Sequence, residues 1–125
     1  MGLKSYKPYT KSTRTTVLVD RKNIWKGSPY KPLTRGKHSS GGRNNLGRIT
    51  SRARGAGHKK RYRIIDFHRN KIDMTATVDR IEYDPNRSSY IALITYEDKT
   101  KTYIICPQNI KTVSYTHLRA HETRI

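Results

Sequence analysis

The stretch that decides the fold is residues 74–106, MTATVDRIEYDPNRSSYIALITYEDKTKTYIIC. Its β-branched, aliphatic and aromatic residues fall into three alternating runs: 74–83, 89–97 and 102–106. Alternation with a period of two is typical of β-strands, because successive side chains point to opposite faces of a sheet. The runs are separated by residues 84–88 and 98–100, which are turn-forming by composition. The stretch therefore predicts three consecutive strands.

The run 74–83 changes phase within itself. Ala76 and Val78 share one phase, whereas Ile81 and Tyr83 share the other. Such a change predicts a β-bulge, which bends and twists a strand.

A further run, YRIIDF at residues 62–67, predicts an earlier strand. Strands that recur about every 10 residues with turns between them indicate a meander or a small barrel. We predict a mainly β fold, an OB-type small β-barrel preceded by a long extended basic arm. The predicted strands are one short of the five in such a barrel, so the fifth comes from the arm or from sequence beyond this chain.

The chain consists of two unlike parts. Residues 1–60 carry 16 basic residues and one acidic residue, whereas residues 61–125 carry 11 basic and eight acidic residues. All eight glycines lie at or before Gly57. High charge with scattered apolar residues is typical of a segment that stays open until a partner orders it. We therefore expect an extended arm over 1–60, with one short strand near 16–19, and a barrel domain over 61–112.

The net charge of +18 indicates a polyanionic partner. There is no run of about 18 apolar residues and no apolar stripe at helical spacing, so we expect no membrane partner. The acid-poor N-terminus is also compatible with a mitochondrial transit peptide, but Pro8, Gly27, Pro29 and Pro32 interrupt any long amphipathic helix. Nucleic acid is the favoured partner.

The densest motif is residues 40–63, SGGRNNLGRITSRARGAGHKKRYR. Glycines let a backbone approach phosphates closely, and arginines hold phosphate with two parallel hydrogen bonds. Lysines displace counterions, and asparagines can read base edges or ribose hydroxyls. The candidate RNA-binding residues are Arg35, Lys37, Arg43, Asn44, Asn45, Arg48, Arg52, Arg54, His58, Lys59, Lys60, Arg61, Arg63 and Arg69.

Other interpretations of this motif are weaker. A generic solvated basic linker remains open from composition alone. A nuclear-localisation or heparin-binding run is disfavoured because the basic residues are spread out, and the Gly-Lys-Ser or Gly-Lys-Thr ending of a nucleotide-binding loop is absent from the sequence.

The run from Gly41 to Phe67 resembles the signature region of the universal large-subunit ribosomal protein two family, in its bacterial and organellar form. That pattern runs Gly-Gly-Arg-Asn-Asn, any residue, Gly-Arg-Ile-Thr, then Arg-x-Arg-Gly-Gly-Gly-His-Lys, then Tyr-Arg-x-Ile-Asp-Phe. This sequence departs from it at Ala56, where the family usually has the middle glycine of three. Segments on both sides also resemble the family, so that the resemblance covers roughly residues 3–112.

The resemblance implies a structural constituent of the large ribosomal subunit that binds 23S-type rRNA through its arm and its OB-type barrel. It implies support for assembly and for the peptidyl-transferase region in translation, with neighbouring ribosomal proteins as further partners. The family fold continues into an SH3-like barrel and a C-terminal extension, which we expect this chain to lack. The implied location is a cytoplasmic ribosome, with an organellar ribosome left open.

Enzymatic alternatives are disfavoured. Asp66 and Asp73 could hold a metal for nuclease chemistry, but we expect them to be partners of the neighbouring Arg63, Arg69 and Lys71. No nucleophile-elbow pattern is present in the sequence. We therefore expect no enzyme activity, no cofactor, no metal site and no small-molecule substrate.

A free OB module that binds single strands by stacking is the second hypothesis. Its platforms would be among Tyr62, Phe67, Tyr83, Tyr90, Tyr96 and Tyr103. Most of these alternate with apolar residues, which favours a place in the core.

Residues 113–125, VSYTHLRAHETRI, have neither the strand pattern before them nor the basic, glycine-rich pattern of the arm. They resemble translated adapter sequence, so we interpret them as a non-native tail and exclude them from functional inference. A short helix is the alternative if they are native.

Overall fold

Short β-strands in three antiparallel sheets form the computed structural model, which describes residues 2–112 and 115–117. The strands of the described residues are β1 (Leu3–Ser5), β2 (Val17–Val19), β3 (Thr34–Gly36), β4 (Arg61–Arg63), β5 (Thr75–Glu82), β6 (Ile91–Tyr96), β7 (Lys101–Ile105) and β8 (Tyr115–His117). One α-helical turn, α1 (Lys11–Thr15), and a 3₁₀ turn at Lys31–Leu33 complete the regular structure of that part of the chain. Neither turn is long or apolar enough to cross a membrane.

The main sheet has the strand order β7-β6-β5-β8. β5 and β6 lie within the first two runs from which strands were predicted, and β7 begins one residue before the third run. The three predicted strands are confirmed. The predicted bulge is confirmed as well, because the register with β6 shifts between Val78 and Arg80. The intervening Asp79 accepts hydrogen bonds from the Thr95 hydroxyl at 2.7 Å and the Lys101 ammonium at 3.0 Å. The bulge therefore turns one carboxylate toward the partner strands.

Both faces of the main sheet are buried. On one face Val78, Ile94 and Ile104 pack together, and on the other Ile91, Leu93 and Tyr103 do so. Strands buried on both sides lack a polar face, which explains the nearly continuous apolar sequence of β6. The second face is covered by Tyr30, Leu33 and Ile65.

The predicted strand at 62–67 is shorter in the structure and pairs with the arm. β4 forms an antiparallel pair with β3, in which Thr34 faces Arg63 and Gly36 faces Arg61. The chain then reaches β7 through a bridge between Ile65 and Tyr103. The arm is thus the source of a further strand, one of the two origins expected from the sequence.

The architecture is a mainly β, OB-type fold whose barrel is not closed. The arm also contacts the end of β5. Trp25 and Glu82 form an isolated parallel bridge, in which the Trp25 amide donates to the Ile81 carbonyl at 2.9 Å. β1 and β2 form a separate two-stranded sheet, and β2 confirms the short strand predicted near 16–19.

A buried polar network joins the arm to the sheet. The Tyr103 hydroxyl accepts a hydrogen bond from the Tyr30 amide at 2.8 Å and lies 3.0 and 3.1 Å from the two carboxylate oxygens of Glu82. Glu82 is 3% exposed and pairs with the Arg80 guanidinium at 2.6 Å. Burial raises the pKa of Tyr103, and the negative charge of Glu82 raises it further. The hydrogen bond from the Tyr30 amide lowers this pKa but does not outweigh the other two effects. The hydroxyl therefore stays protonated and donates to Glu82.

Residues 115–117 form β8, which pairs antiparallel with residues 75–77. The expectation of a short helix there is wrong for these three residues. Residues 113, 114 and 118–125 lie outside the described residues, and the interpretation of 113–125 as a non-native tail stays a prediction.

We predict that Tyr103→Phe lowers the free energy of unfolding by about 1–3 kcal/mol, because it removes the partner of the Tyr30 amide and leaves Arg80 as the remaining partner of the buried Glu82 carboxylate. Urea denaturation measures this loss, and hydrogen exchange at the Tyr30 amide should accelerate. Tyr96→Phe is the matched control, because the Tyr96 hydroxyl is equally buried but has no hydrogen-bond partner among the described residues. Equal effects of the two variants would contradict the role given to the Tyr103 hydroxyl.

Candidate nucleic-acid interface

The loop 37–60, which we call the basic loop, contains most of the candidate residues and is closed at its base by the pairing of β3 with β4. The pairing fixes both ends of the loop against the barrel. Arg43, Arg48, Arg52 and Arg54 are all exposed on it. Their charges therefore face solvent on a loop whose two ends are held in place by the β3–β4 pair.

The tip of the basic loop is a small hairpin. Arg43 and Ile49 form an antiparallel bridge, and the Asn44 amide donates to the Arg48 carbonyl at 3.0 Å. The Asn44 side-chain oxygen accepts from the amides of Leu46 and Arg48, at 3.1 and 2.9 Å. Asn44, a candidate RNA contact, thus stabilises the turn with its side-chain oxygen. Both Asn44 and Asn45 are exposed.

Gly42 holds the two sides of this hairpin together. Its carbonyl accepts from the amides of Thr50 and Ser51, at 3.0 and 3.2 Å. Its φ is +79°, and a Cβ at this position would lie 2.5 Å from the Ser51 carbonyl oxygen. Only glycine satisfies both conditions.

The departure from the family pattern at Ala56 does not strain the backbone. The neighbouring Gly57 has a φ of +68°, whereas Ala56 is not among the residues with positive φ. An alanine therefore fits at position 56.

Arg43 is partly used inside the loop. Its guanidinium Nη1 hydrogen-bonds the Gly41 carbonyl and lies 3.5 Å from the Arg54 carbonyl oxygen. This guanidinium therefore contributes to loop shape as well as to charge.

The end of the basic loop runs past three adjoining grooves that share Lys59 and Lys60. The largest, with a volume of about 770 Å³, is also lined by Arg35 and Arg61. Their lining residues include these candidates from the sequence: Arg35, Lys37, His58, Lys59, Lys60, Arg61 and Arg63. We call these three grooves the basic groove. Residues far apart in sequence thus form one positively charged surface.

Sequence reasoning missed several residues of this surface. Lys31 lines the largest groove, and Pro29, Tyr83 and Pro85 line a second one. Nothing in the local sequence of Lys31, Pro29 or Pro85 marks them, because the groove arises from the pairing of β3 with β4. Tyr83 was considered only as a stacking platform of the barrel and not as part of this basic surface.

Arg69 lies apart from the basic groove. It is half-buried, with φ at +48°, and its amide donates to the Asp66 carboxylate at 3.0 Å. It is therefore the candidate with the least structural support.

Across residues 2–112, Asp66 and Asp73 form no side-chain ion pair with the expected partners Arg63, Arg69 and Lys71. Asp66 accepts from the backbone amides of His68 and Arg69, which is a turn-forming arrangement, and Lys71 contacts Asp98 instead. No group of three metal-ligating side chains occurs within residues 2–112.

The six aromatic residues considered as stacking platforms divide into buried, half-buried and exposed rings. Tyr96 and Tyr103 are buried, and Tyr62 and Tyr90 are half-buried. Phe67 is 58% exposed and Tyr83 is 39% exposed. Most of the rings therefore belong to the core or its margin rather than to a stacking surface.

An OB-type fold that presents an arginine-rich loop and a basic groove defines a class of protein that binds nucleic acid. Consistent with this class, residues 30–116 match the family described as Ribosomal Proteins L2, RNA binding N-terminal domain. The chain belongs to the ribosomal protein L2 family, as its resemblance predicted. The matched residues include the whole basic loop.

Relatives of known identity support the assignment. The chain is 61% identical to the large ribosomal subunit protein uL2 of Granulibacter bethesdensis over 111 residues, which are 89% of this chain and 40% of the relative. It is 63% identical to the uL2 protein of Beijerinckia indica over 110 residues, 88% of this chain and 39% of the relative. The uL2 protein of Rickettsia canadensis is 60% identical over 110 residues, with 88% and 40% covered. The chain thus spans about 40% of the length of these relatives.

We predict that Gly42→Ala disorders the tip of the basic loop, because the new methyl group would meet the Ser51 carbonyl. Hydrogen exchange at the Thr50 and Ser51 amides should accelerate. Gly47→Ala is the matched control, since Gly47 also has a positive φ, +77°, but a Cβ there meets no atom within 4 Å. The interpretation fails if the exchange of these amides is the same in both variants.

Proposed function

We propose that this chain is an rRNA-binding structural constituent of the large ribosomal subunit. The observation that carries the proposal is the basic loop, held at both ends by the β3–β4 pair and continuous with the basic groove. Its candidate partners are 23S-type rRNA and neighbouring ribosomal proteins.

Two kinds of contact follow from the chemistry of this surface. The exposed Arg48, Arg52 and Arg54 guanidinium groups suit bidentate contacts with phosphate oxygens. Lys59 and Lys60, which line all three grooves, act as point charges that release counterions from the RNA backbone. Binding of this kind positions the protein on a folded RNA.

The role is scaffolding rather than catalysis. The relatives bear the names of ribosomal subunit proteins, and the proposal requires no cofactor or small-molecule substrate. Anchoring to rRNA would support subunit assembly and the shape of the peptidyl-transferase region. Because the relatives are bacterial, a cytoplasmic ribosome is favoured over an organellar one.

The proposal predicts where affinity lies. Replacing Arg43, Arg48, Arg52 and Arg54 by glutamine should lower affinity for a large-subunit rRNA fragment. It should also make the slope of log affinity against log salt concentration less steep. The slope should change by about 0.9 for each lost phosphate contact in a duplex. The comparison is made by filter binding over a range of salt, against an unrelated structured RNA of equal length.

Two controls accompany this measurement. Replacing Lys4, Lys7, Lys11 and Arg14 by glutamine removes the same charge from outside the basic loop, and Tyr96→Ala tests the barrel core. We expect the rRNA preference to survive the first and Tyr96→Ala mainly to reduce stability. If both charge variants lose affinity alike and the wild type shows no rRNA preference, the chain is a generic polycation.

A further inference from the structure

Tyr83 differs from the other barrel tyrosines because it opens onto the basic groove. Its ring is 39% exposed and lines the same groove, of about 490 Å³, as Lys59, Lys60 and Arg61. An aromatic ring beside several cations offers RNA both a stacking surface and phosphate contacts.

Two other exposed rings near the barrel do not combine these features. Trp25 is covered by the Arg80 guanidinium, 4.5 Å from its ring centroid, and by Gly27, where a Cβ would lie 2.7 Å from the indole. Phe67 is more exposed than Tyr83 but is not among the residues that line the basic groove. Tyr83 is therefore the ring to consider.

One face of the Tyr83 ring is already occupied. The Arg21 guanidinium lies over it, 3.7 Å from the ring centroid. A cation at this distance restrains the ring. Because Tyr83 remains 39% exposed and lines the groove, it keeps accessible surface for a second planar group. A nucleobase stacked there would complete a three-layer stack.

The wall of the groove that carries Tyr83 is rigid. The next residue, Asp84, is fully buried and accepts from the Asn86 amide at 3.0 Å and the Arg87 guanidinium at 2.6 Å. Burial by itself raises the pKa of Asp84, but these hydrogen bonds outweigh it and lower the pKa, so the carboxylate stays charged. The Asn86 side chain also donates to the Arg61 carbonyl at 2.7 Å, which ties the two walls of the groove together.

We propose that Tyr83 stacks on an unpaired nucleobase of RNA whose flanking phosphates contact Lys59 and Arg61. This inference rests on the proposed function and adds a class of target, an RNA with a base turned out of its helix. Bases inside an A-form helix are stacked on their neighbours, so only an unpaired base can lie flat on the ring.

The test uses two RNA hairpins that differ in one group. One contains a single bulged 2-aminopurine nucleotide, and the other contains an abasic nucleotide at the same place, so both have the same phosphates. The full chain should bind the 2-aminopurine hairpin at least about fivefold more tightly, the lower end of what one base–aromatic stack provides. The 2-aminopurine fluorescence should be quenched on binding.

The variants separate stacking from charge. Tyr83→Leu should bind both hairpins equally, with the affinity and salt slope of the wild type for the abasic hairpin. Tyr83→Phe, which keeps the ring, should retain the preference, and so should Phe67→Leu, which removes a more exposed ring elsewhere. Circular dichroism checks that each variant is folded.

The outcomes also distinguish this inference from the proposed function. If the wild type binds the two hairpins equally, or if Tyr83→Leu keeps the preference, the stacking site is wrong. A wild type that shows no preference for the rRNA fragment over unrelated RNA overturns the proposed function instead.

Discussion

The structure depends on the hydroxyl of Tyr103, which connects three separate parts of the chain. It lies on β7, accepts from the backbone of Tyr30 in the arm and donates to Glu82 at the end of β5. A buried carboxylate is costly unless it is paired and hydrogen-bonded, and Glu82 has both Tyr103 and Arg80. Once these groups are satisfied, Tyr30 and Leu33 cover one face of the sheet, and the chain enters β3 at a fixed position.

That fixed position explains how so basic a segment has a defined shape beside the barrel. β3 pairs with β4, and the basic loop between them begins and ends at adjacent strands. The loop is polar, so apolar packing cannot hold its turn. The turn is held instead by the positive φ of Gly42 and by the side-chain oxygen of Asn44. The arginines are thereby exposed on a loop of defined shape. In the proposed function, RNA would offset the repulsion among them.

In the proposed function, the barrel contributes to binding mainly by supporting this surface. Its sheet is buried on both faces, so Tyr96 and Tyr103 pack in the core and cannot act as stacking platforms. Tyr83 is different because the bulge after Val78 changes the phase of β5, and Tyr83 follows directly after the last residue of that strand. The β-bulge in β5 is thus followed, directly after the end of the same strand, by the Tyr83 ring at the edge of the basic groove.

The sequence by itself determined the strands β5 to β7, the bulge in β5 and the basic nature of the loop, because each depends on residues that are neighbours along the chain. It also determined the family, since the motif from Gly41 to Phe67 is contiguous. The sequence did not show that Asn44 stabilises a turn, that β3 pairs with β4 or that Tyr83 lines the groove. Only the tertiary structure decided these points, because they follow from contacts such as that of Tyr30 with Tyr103, which join residues far apart in the chain.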